Sequence, residues 1–133
     1  MISILQFDIE TWLPVVGYEG SYVVSNQGQV RSLDRLDIRG RFWAGQILKR
    51  TINIVGYPMV TLWKAGQGNT IGIHVLMLEA FVGPRPPGMW GLHANDVKHD
   101  NRIENLRWDT PSENMYDRVR NGIHHMQRKV VVP

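Results

Sequence analysis

Residues 91 to 114, G-L-H-A-N-D-V-K-H-D-N-R-I-E-N-L-R-W-D-T-P-S-E-N, restrict the fold of this chain more than any other stretch. They ask the backbone to be strand, loop, strand and helix in quick succession. Trp90 and Leu92 belong to a short strand that delivers His93. Residues 95 to 104 are polar (Asn95, Asp96, Lys98, His99, Asp100, Asn101, Arg102), as a solvated loop should be. Leu106, Arg107 and Trp108 then alternate apolar and polar, the pattern of a half-buried strand. Thr110, Pro111, Ser112 and Glu113 follow as T-P-S-E: a capping hydroxyl, a proline at the first helical position and an acid at the third. The hydroxyl accepts an orphan backbone N–H, and the acid reaches back to the cap amide at the positive end of the helix dipole. Gly122 suits a helix C′ position, so the pattern predicts a helix over residues 111–121 with Asn114 on its first turn. Two strands and one helix thereby bring His93, Asn105 and Asn114, spaced twelve and nine residues apart, towards one point.

The stretch resembles the HNH, or ββα-metal, endonucleases, in particular those encoded by phages and mobile introns. Their pattern runs as a histidine, then N-N-R-x-E-N-L, then W-x-T-x-x-x-N. Here it stands as His93, D-N-R-I-E-N-L at 100–106 and W-D-T-P-S-E-N at 108–114. Upstream, I-H-V-L-M-L-E-A-F-V-G at 73–83 is similar to the segment that often precedes this motif. W-L-P-V-V-G-Y-E-G-S-Y-V-V-S-N-Q-G-Q-V-R-S-L at 12–33 resembles the module commonly fused in front of such nucleases. Three such motifs in the expected order carry far more weight than any one of them.

The resemblance implies metal-dependent hydrolysis of DNA phosphodiester bonds. His93 would be the general base that takes a proton from the attacking water, a task for which a neutral imidazole is suited near neutral pH. Asn105 would hold that imidazole in orientation through its side-chain oxygen. Asn114 would bind a divalent cation that polarises the scissile phosphate, and oxygen ligands point to a hard ion, Mg²⁺ or Mn²⁺. Leu92 departs from the pattern. Many relatives carry Asp or Asn just before the base histidine as a metal ligand, and leucine cannot serve. Three consequences stand open. A substitute donor completes the site, with Asp117 the candidate because i+3 on one helix places it near Asn114. Or the metal is held weakly until DNA completes its shell. Or catalysis is lost and a silent DNA-binding protein remains. Restoring Asp at position 92 separates these readings. A structural protein using its Trp- and Met-containing surface for assembly is a further alternative, distinguished by the absence of salt-dependent DNA affinity.

Each candidate also has an ordinary structural role. A lone histidine beside a tryptophan is usually a packed residue, and only the spacing lifts His93 above that. Asn105 suits a strand end or turn, and Asn114 suits a solvated helix surface. His74 lies in an apolar helical run with Leu76, Met77, Leu78 and Phe81, where a buried structural histidine is the default. His99 reads as a solvated loop residue, and His124 and His125 fall in a basic tail.

Charge is unevenly distributed. The net charge is only +3, yet residues 1–20 hold three acids and no Lys or Arg. Arg31, Arg35, Arg39, Arg41, Lys49 and Arg50 then crowd residues 31–50, and Lys98, Arg102, Arg118 and Arg120 fall in or just after the motif. Such clusters suit a phosphate-facing surface, since Lys and Arg release condensed counterions on binding; a solvated basic face is the bland alternative. These ten residues are the predicted contacts to double-stranded DNA. The chain has 133 residues and no cysteine, which excludes disulfide scaffolds and cysteine-type zinc sites and suits a reducing cytoplasm. No apolar run approaches the ~20 residues of a membrane span, and Asp8 and Glu10 stand where a signal peptide would be basic.

The fold class that follows is α+β, an N-terminal β-rich hairpin module leading into a ββα-metal motif. Ser21–Ser25 and Gln29–Leu33 read as strands turned through Asn26-Gln27-Gly28. Ile47–Ile54 and Tyr57–Trp63 read as a second hairpin turned near Val55-Gly56, followed by a strand over Thr70–Ile73. The pattern switches to helix from about His74 to Phe81. The stretch from Gly83 to Gly88, rich in proline, ends that helix and forms a stiff connector, the best candidate boundary into the nuclease motif. Residues 1–72 are thus the DNA-associated module, 73–125 the nuclease region and 126–133 a basic, frayed tail. Double-strand cleavage by one small active site would further call for a homodimer.

Overall fold

The computed structural model describes residues 9–112. Ten short strands, one complete α-helix and one 3₁₀ turn make up most of the regular structure among these residues. The first sheet joins β1 (Trp12–Pro14), β2 (Tyr22–Ser25) and β3 (Val30–Ser32), all antiparallel in that order. The β2–β3 pairing sets Val24 opposite Val30 and Tyr22 opposite Ser32, so the apolar members of both strands share one face. Its turn works as the sequence predicts. Ser25 Oγ accepts the amides of Gln27 and Gln29 at 3.2 and 3.1 Å, and Gly28 sits at φ +86°, a conformation that favours glycine.

A two-stranded ribbon follows, β4 (Arg35–Leu36) against β5 (Phe42–Trp43). The second three-stranded sheet is β6 (Thr51–Ile52), β7 (Pro58–Lys64) and β8 (Gln67–Gly72). The expected long strand over Ile47–Ile54 is cut short in the structure. Residues 46–48 instead lie along β3, where Ser32 and Leu48 donate to Gln46 and Val30 carbonyls at 2.9 and 2.8 Å. In β7 the residues Pro58, Val60 and Leu62 alternate inward, as a strand with one buried face requires.

Helix α1 spans Ile73–Phe81 and buries Ile73, Leu76, Met77 and Leu78, the stripe expected of i, i+3 and i+4 spacing. It packs on both sheets and on the final hairpin. That hairpin is β9 (Trp90–His93) antiparallel to β10 (Leu106–Asp109), with His93 opposite Leu106 and Leu92 opposite Arg107. The loop between them does not stay irregular to its end, because Ile103–Asn105 closes it with a single 3₁₀ turn. Pro111 and Ser112 are helical, as the T-P-S-E reading requires; the rest of the expected 111–121 helix lies outside the described residues.

One apolar cluster serves the whole arrangement. Val15, just after β1, and Val24, Val30, Val60 and Leu62 from the sheets meet Ile73, Leu76, Met77 and Leu78 from the helix and Leu106 from β10. Burying a side chain of this kind contributes about 1.5–3 kcal/mol, so the strands that precede α1 and the hairpin that follows it are stabilised by the same contacts.

Candidate active site

The β9–β10 hairpin places His93 at the end of its first strand, 5% exposed. The loop that leaves it is laced by side-chain amides. Asn105 Oδ1 accepts the Asn95 backbone amide at 3.1 Å, and Asn105 Nδ2 donates to Asn95 Oδ1 at 2.9 Å and to the Asp100 carbonyl at 2.8 Å. Asn95 Nδ2 donates in turn to Asp100 Oδ2 at 2.7 Å. The backbone closes across the neck of the loop, Ala94 N–H to the Asn105 carbonyl at 2.8 Å. A loop with this many internal bonds presents a fixed shape rather than an ensemble.

The expected role of Asn105 is corrected by this geometry. All of its amide atoms are engaged within the loop, and none reaches the imidazole. The group that does is Asn101, whose Oδ1 stands 2.7 Å from His93 Nε2. The 3₁₀ turn is the reason: it holds Asn105 at the neck of the loop, while Asn101, four residues earlier, passes over the ring. With the Asn101 oxygen facing the ring, the tautomer that satisfies this bond is the one with its proton on Nε2 and a lone pair on Nδ1. Burial pushes the His93 pKa below the ordinary histidine value, against the opposing pull of the Asn101 hydrogen bond and the charges of Asp100 and Asp96. The imidazole is therefore neutral at neutral pH, as a proton acceptor must be.

The N-terminal strands reach into this site. The Ile103 amide donates to the Asn26 carbonyl at 3.0 Å, fastening the loop to the β2–β3 turn. Gly28, at the tip of that turn, comes so close that a Cβ there would lie 2.9 Å from Asn101 Cβ. The β6–β7 turn holds the other side, with Lys98 Nζ donating to the Val55 carbonyl at 2.6 Å and lying 5.1 Å from the centre of the Tyr57 ring. Beneath His93 are two more rings: Tyr57 stacks on His74 at 5.1 Å, and His74 lies 5.0 Å from His93. His74 and Tyr57 are thus close to the proposed base, which the sequence does not signal. A histidine in an apolar helical run looks the same whether it faces a core or a site.

The remaining predicted residues are dispersed. Arg102 grips Asp100 through two bonds of 2.7 and 2.8 Å, and Lys98 is engaged as described, so both serve the loop. Asp100 is held down to a pKa of about 2, first of all by Arg102. Arg31, Arg35, Arg39, Arg41, Lys49 and Arg50 are all exposed. Asn114, Asp117, Arg118 and Arg120 lie outside the described residues. Leu92 is 3% exposed and offers no donor atom. Among the described residues no three His, Asp or Glu gather into a cation site, so the donors described here do not by themselves fit a divalent metal.

The arginine ribbon is organised by one carboxylate. Asp37 accepts the amides of Arg39 and Arg41 at 2.9 Å each, Arg41 Nε at 2.7 Å and Trp43 Nε1 at 3.2 Å. These bonds, led by that from the Arg41 backbone, hold its pKa at about 2. Arg35 and Arg41 both lie over the Trp43 ring at 5.5 Å. Ile38 at the tip is fully exposed.

Comparison with known proteins gives this geometry its context. Residues 10–63 match the NUMOD4 motif, and residues 72–116 match the HNH endonuclease model. The chain is 33% identical over 111 residues to the DNA endonuclease I-HmuI of Bacillus phage SP01, covering 84% of this chain and 59% of that protein. It is 34% identical over 128 residues to an HNH endonuclease of Acanthamoeba polyphaga mimivirus, covering 92% of this chain and 29% of that one. Among solved structures, that of DNA binding and cleavage by the HNH homing endonuclease I-HmuI superposes with a TM-score of 0.70 at 30% identity, covering 92% of this chain and 67% of the other. The chain thus spans under two thirds of the length of these curated relatives. Among the described residues no helix is long and apolar enough to cross a membrane.

Proposed function

Because this chain belongs to the HNH endonucleases, with a NUMOD4 motif ahead of its nuclease region, we propose that it hydrolyses DNA phosphodiester bonds with His93 as general base. The observation that carries the reading is the bond between His93 Nε2 and Asn101 Oδ1. It fixes the tautomer that leaves Nδ1 free to accept a proton. As water attacks phosphorus, its proton passes to Nδ1, the new P–O bond forms and the bond to the departing sugar oxygen breaks. Asn101 holds the ring throughout and accepts the Nε2–H more strongly as the ring becomes cationic. Asn105 acts at one remove, keeping the loop closed so that Asn101 stays over the ring. HNH nucleases generally use a divalent metal. Bound by donors such as Asn114 and Asp117, Mg²⁺ or Mn²⁺ would supply Lewis-acid stabilisation of the phosphate charge.

The partner in this reading is double-stranded DNA. Residues 1–72 act as the gripping module, with the arginines of the β4–β5 ribbon and Lys49 and Arg50 on phosphates; residues 73–125 carry the chemistry. A two-stranded ribbon is of a size that the major groove admits, and Asp37 fixes its shape in advance. The host cell's cytoplasm is the compartment proposed for this activity.

Supercoiled plasmid incubated at low salt with Mg²⁺, Mn²⁺ or EDTA tests the activity. Nicking should require metal and vanish in His93→Ala. A second reading, a DNA-binding protein without catalysis, is favoured by one specific observation: the buried Leu92 at a usual ligand position. Leu92→Asp discriminates. A silent protein gains nicking on that substitution, whereas an active one changes mainly in its metal preference.

A further inference from the structure

We propose that His74 is the positioning residue for His93, a second imidazole built into the site as the floor on which the base is held. The inference rests on the reading of His93 as the base, and four observations carry it. First, the two rings are 5.0 Å apart and inclined at 46°, while Tyr57 stacks on His74 at 5.1 Å and leans on His93 at 5.9 Å. The base is thus in contact with two rings as well as with Asn101.

Second, the chain makes room for an imidazole at this position. A Cβ on Gly72 would lie 2.9 Å from His74 Cε1 and 3.1 Å from Nδ1, and a Cβ on Gly91 would lie 3.0 Å from Cδ2. Neither glycine is held by a positive φ, so what a side chain there would meet is the His74 ring, joined at Gly91 by Leu78 Cδ1 at 3.1 Å, and these groups would have to give way to admit it. One precedes the helix that carries His74, and the other lies on the strand that carries His93. The ring is clamped between the two elements that it connects.

Third, His74 Nδ1 is sealed from solvent with no hydrogen-bond partner. In an apolar run an aliphatic side chain would fill space without leaving a polar atom unpaired, so filling the core does not account for a histidine. Fourth, the two rings are electrostatically linked. Burial, and after it the His93 and Arg85 charges, push the His74 pKa down to about 4. Asp96, Asp100 and His99 act on His93 from the loop. Both imidazoles are thus shifted in the same direction, towards the neutral form, first of all by the burial they share.

Long-range ¹H–¹⁵N NMR of the imidazoles in the full chain, recorded from pH 4 to 8, tests this without needing turnover. In the wild type His93 should show the Nε2–H tautomer alone. In His74→Ala the ring is free to turn from Asn101, so both tautomers appear and the His93 midpoint rises towards the ordinary value as water enters. Gly91→Ala leaves both histidines in place but presses on the His74 ring, and should move the His93 signals in the same sense; it also answers the question if His74→Ala does not fold. Unchanged His93 tautomer and midpoint in the folded variants overturn the proposal, even if their melting temperatures fall. Plasmid nicking forms the second arm. Where the wild type nicks, His74→Ala should lose about a hundredfold in kcat with KM unchanged, and a retained kcat overturns the proposal. Where the wild type does not nick, the reading of His93 as base fails, while the NMR still decides whether His74 positions the ring.

Discussion

Removing the amide of Asn101 would leave the Nε2–H of His93 buried without an acceptor. The cost to stability is about 1–3 kcal/mol, but the larger effect should fall on the chemistry, because both tautomers become equally available to the ring. Asn101→Ala should therefore cut plasmid nicking by about 10–100-fold while DNA affinity, measured by fluorescence anisotropy, stays within a factor of about two. Asn105→Ala should behave differently: it breaks three bonds of the loop at once, and its loss of nicking should accompany a fall in melting temperature. The contrast tests whether the two amides have the separate roles that their partners imply. The place of His93 at the end of a strand was legible in the sequence, because its spacing to the following strand is a one-dimensional quantity. Asn101 was not, because three asparagines stand in and at the end of the same polar loop and only the 3₁₀ turn decides which of them passes over the ring.

At the scale of elements, the β4–β5 ribbon makes a sharp prediction about affinity. Its arginines project from a turn already fixed by Asp37, so little ordering remains to be done on binding. Replacing Arg35, Arg39 and Arg41 together by Gln should reduce the slope of log Kd against log salt by roughly 3 and leave the melting temperature nearly unchanged, since all three are exposed. A wild-type salt slope would remove this ribbon from the DNA interface. The ribbon itself escaped the sequence reading, although its arginines did not. Strands of two residues offer no alternation to detect, and a turn organised by one carboxylate whose partners reach six residues along the chain has no short signature. The β2–β3 hairpin, with N-Q-G at its turn, and the β7 strand, with its inward alternation, were legible because local chemistry and tertiary packing agree there.

For the whole molecule, the two neighbouring histidines tie stability to pH. The unfolded chain binds a proton at residue 74 below about pH 6.5, and the folded chain does not until about 4. Acid therefore favours unfolding across that window, and His74 contributes up to roughly 3 kcal/mol that is present above 6.5 and lost as the pH falls towards 4. His93, shifted in the same direction, adds to the slope. Asp37 and Asp100 keep their charge down to about 2, so their share is lost only below the ordinary carboxylate range and does not confuse the measurement. Denaturant unfolding at pH 7, 6 and 5 should show a steady decline, flattened in His74→Ala; a wild type equally stable at all three values contradicts the buried environment described for the pair. The α+β architecture was legible from the order of patterns along the chain, whereas which residues make up the core that joins its two halves was not. Nor was the contact of Gly28 with Asn101 or the bond from Ile103 to Asn26, since no local pattern records which distant turn a loop leans on. That contact bears on how such proteins can be recombined. A front half taken from elsewhere would have to bring a glycine-tipped turn of the same reach, so the two halves of this chain fit as a matched pair rather than as interchangeable parts.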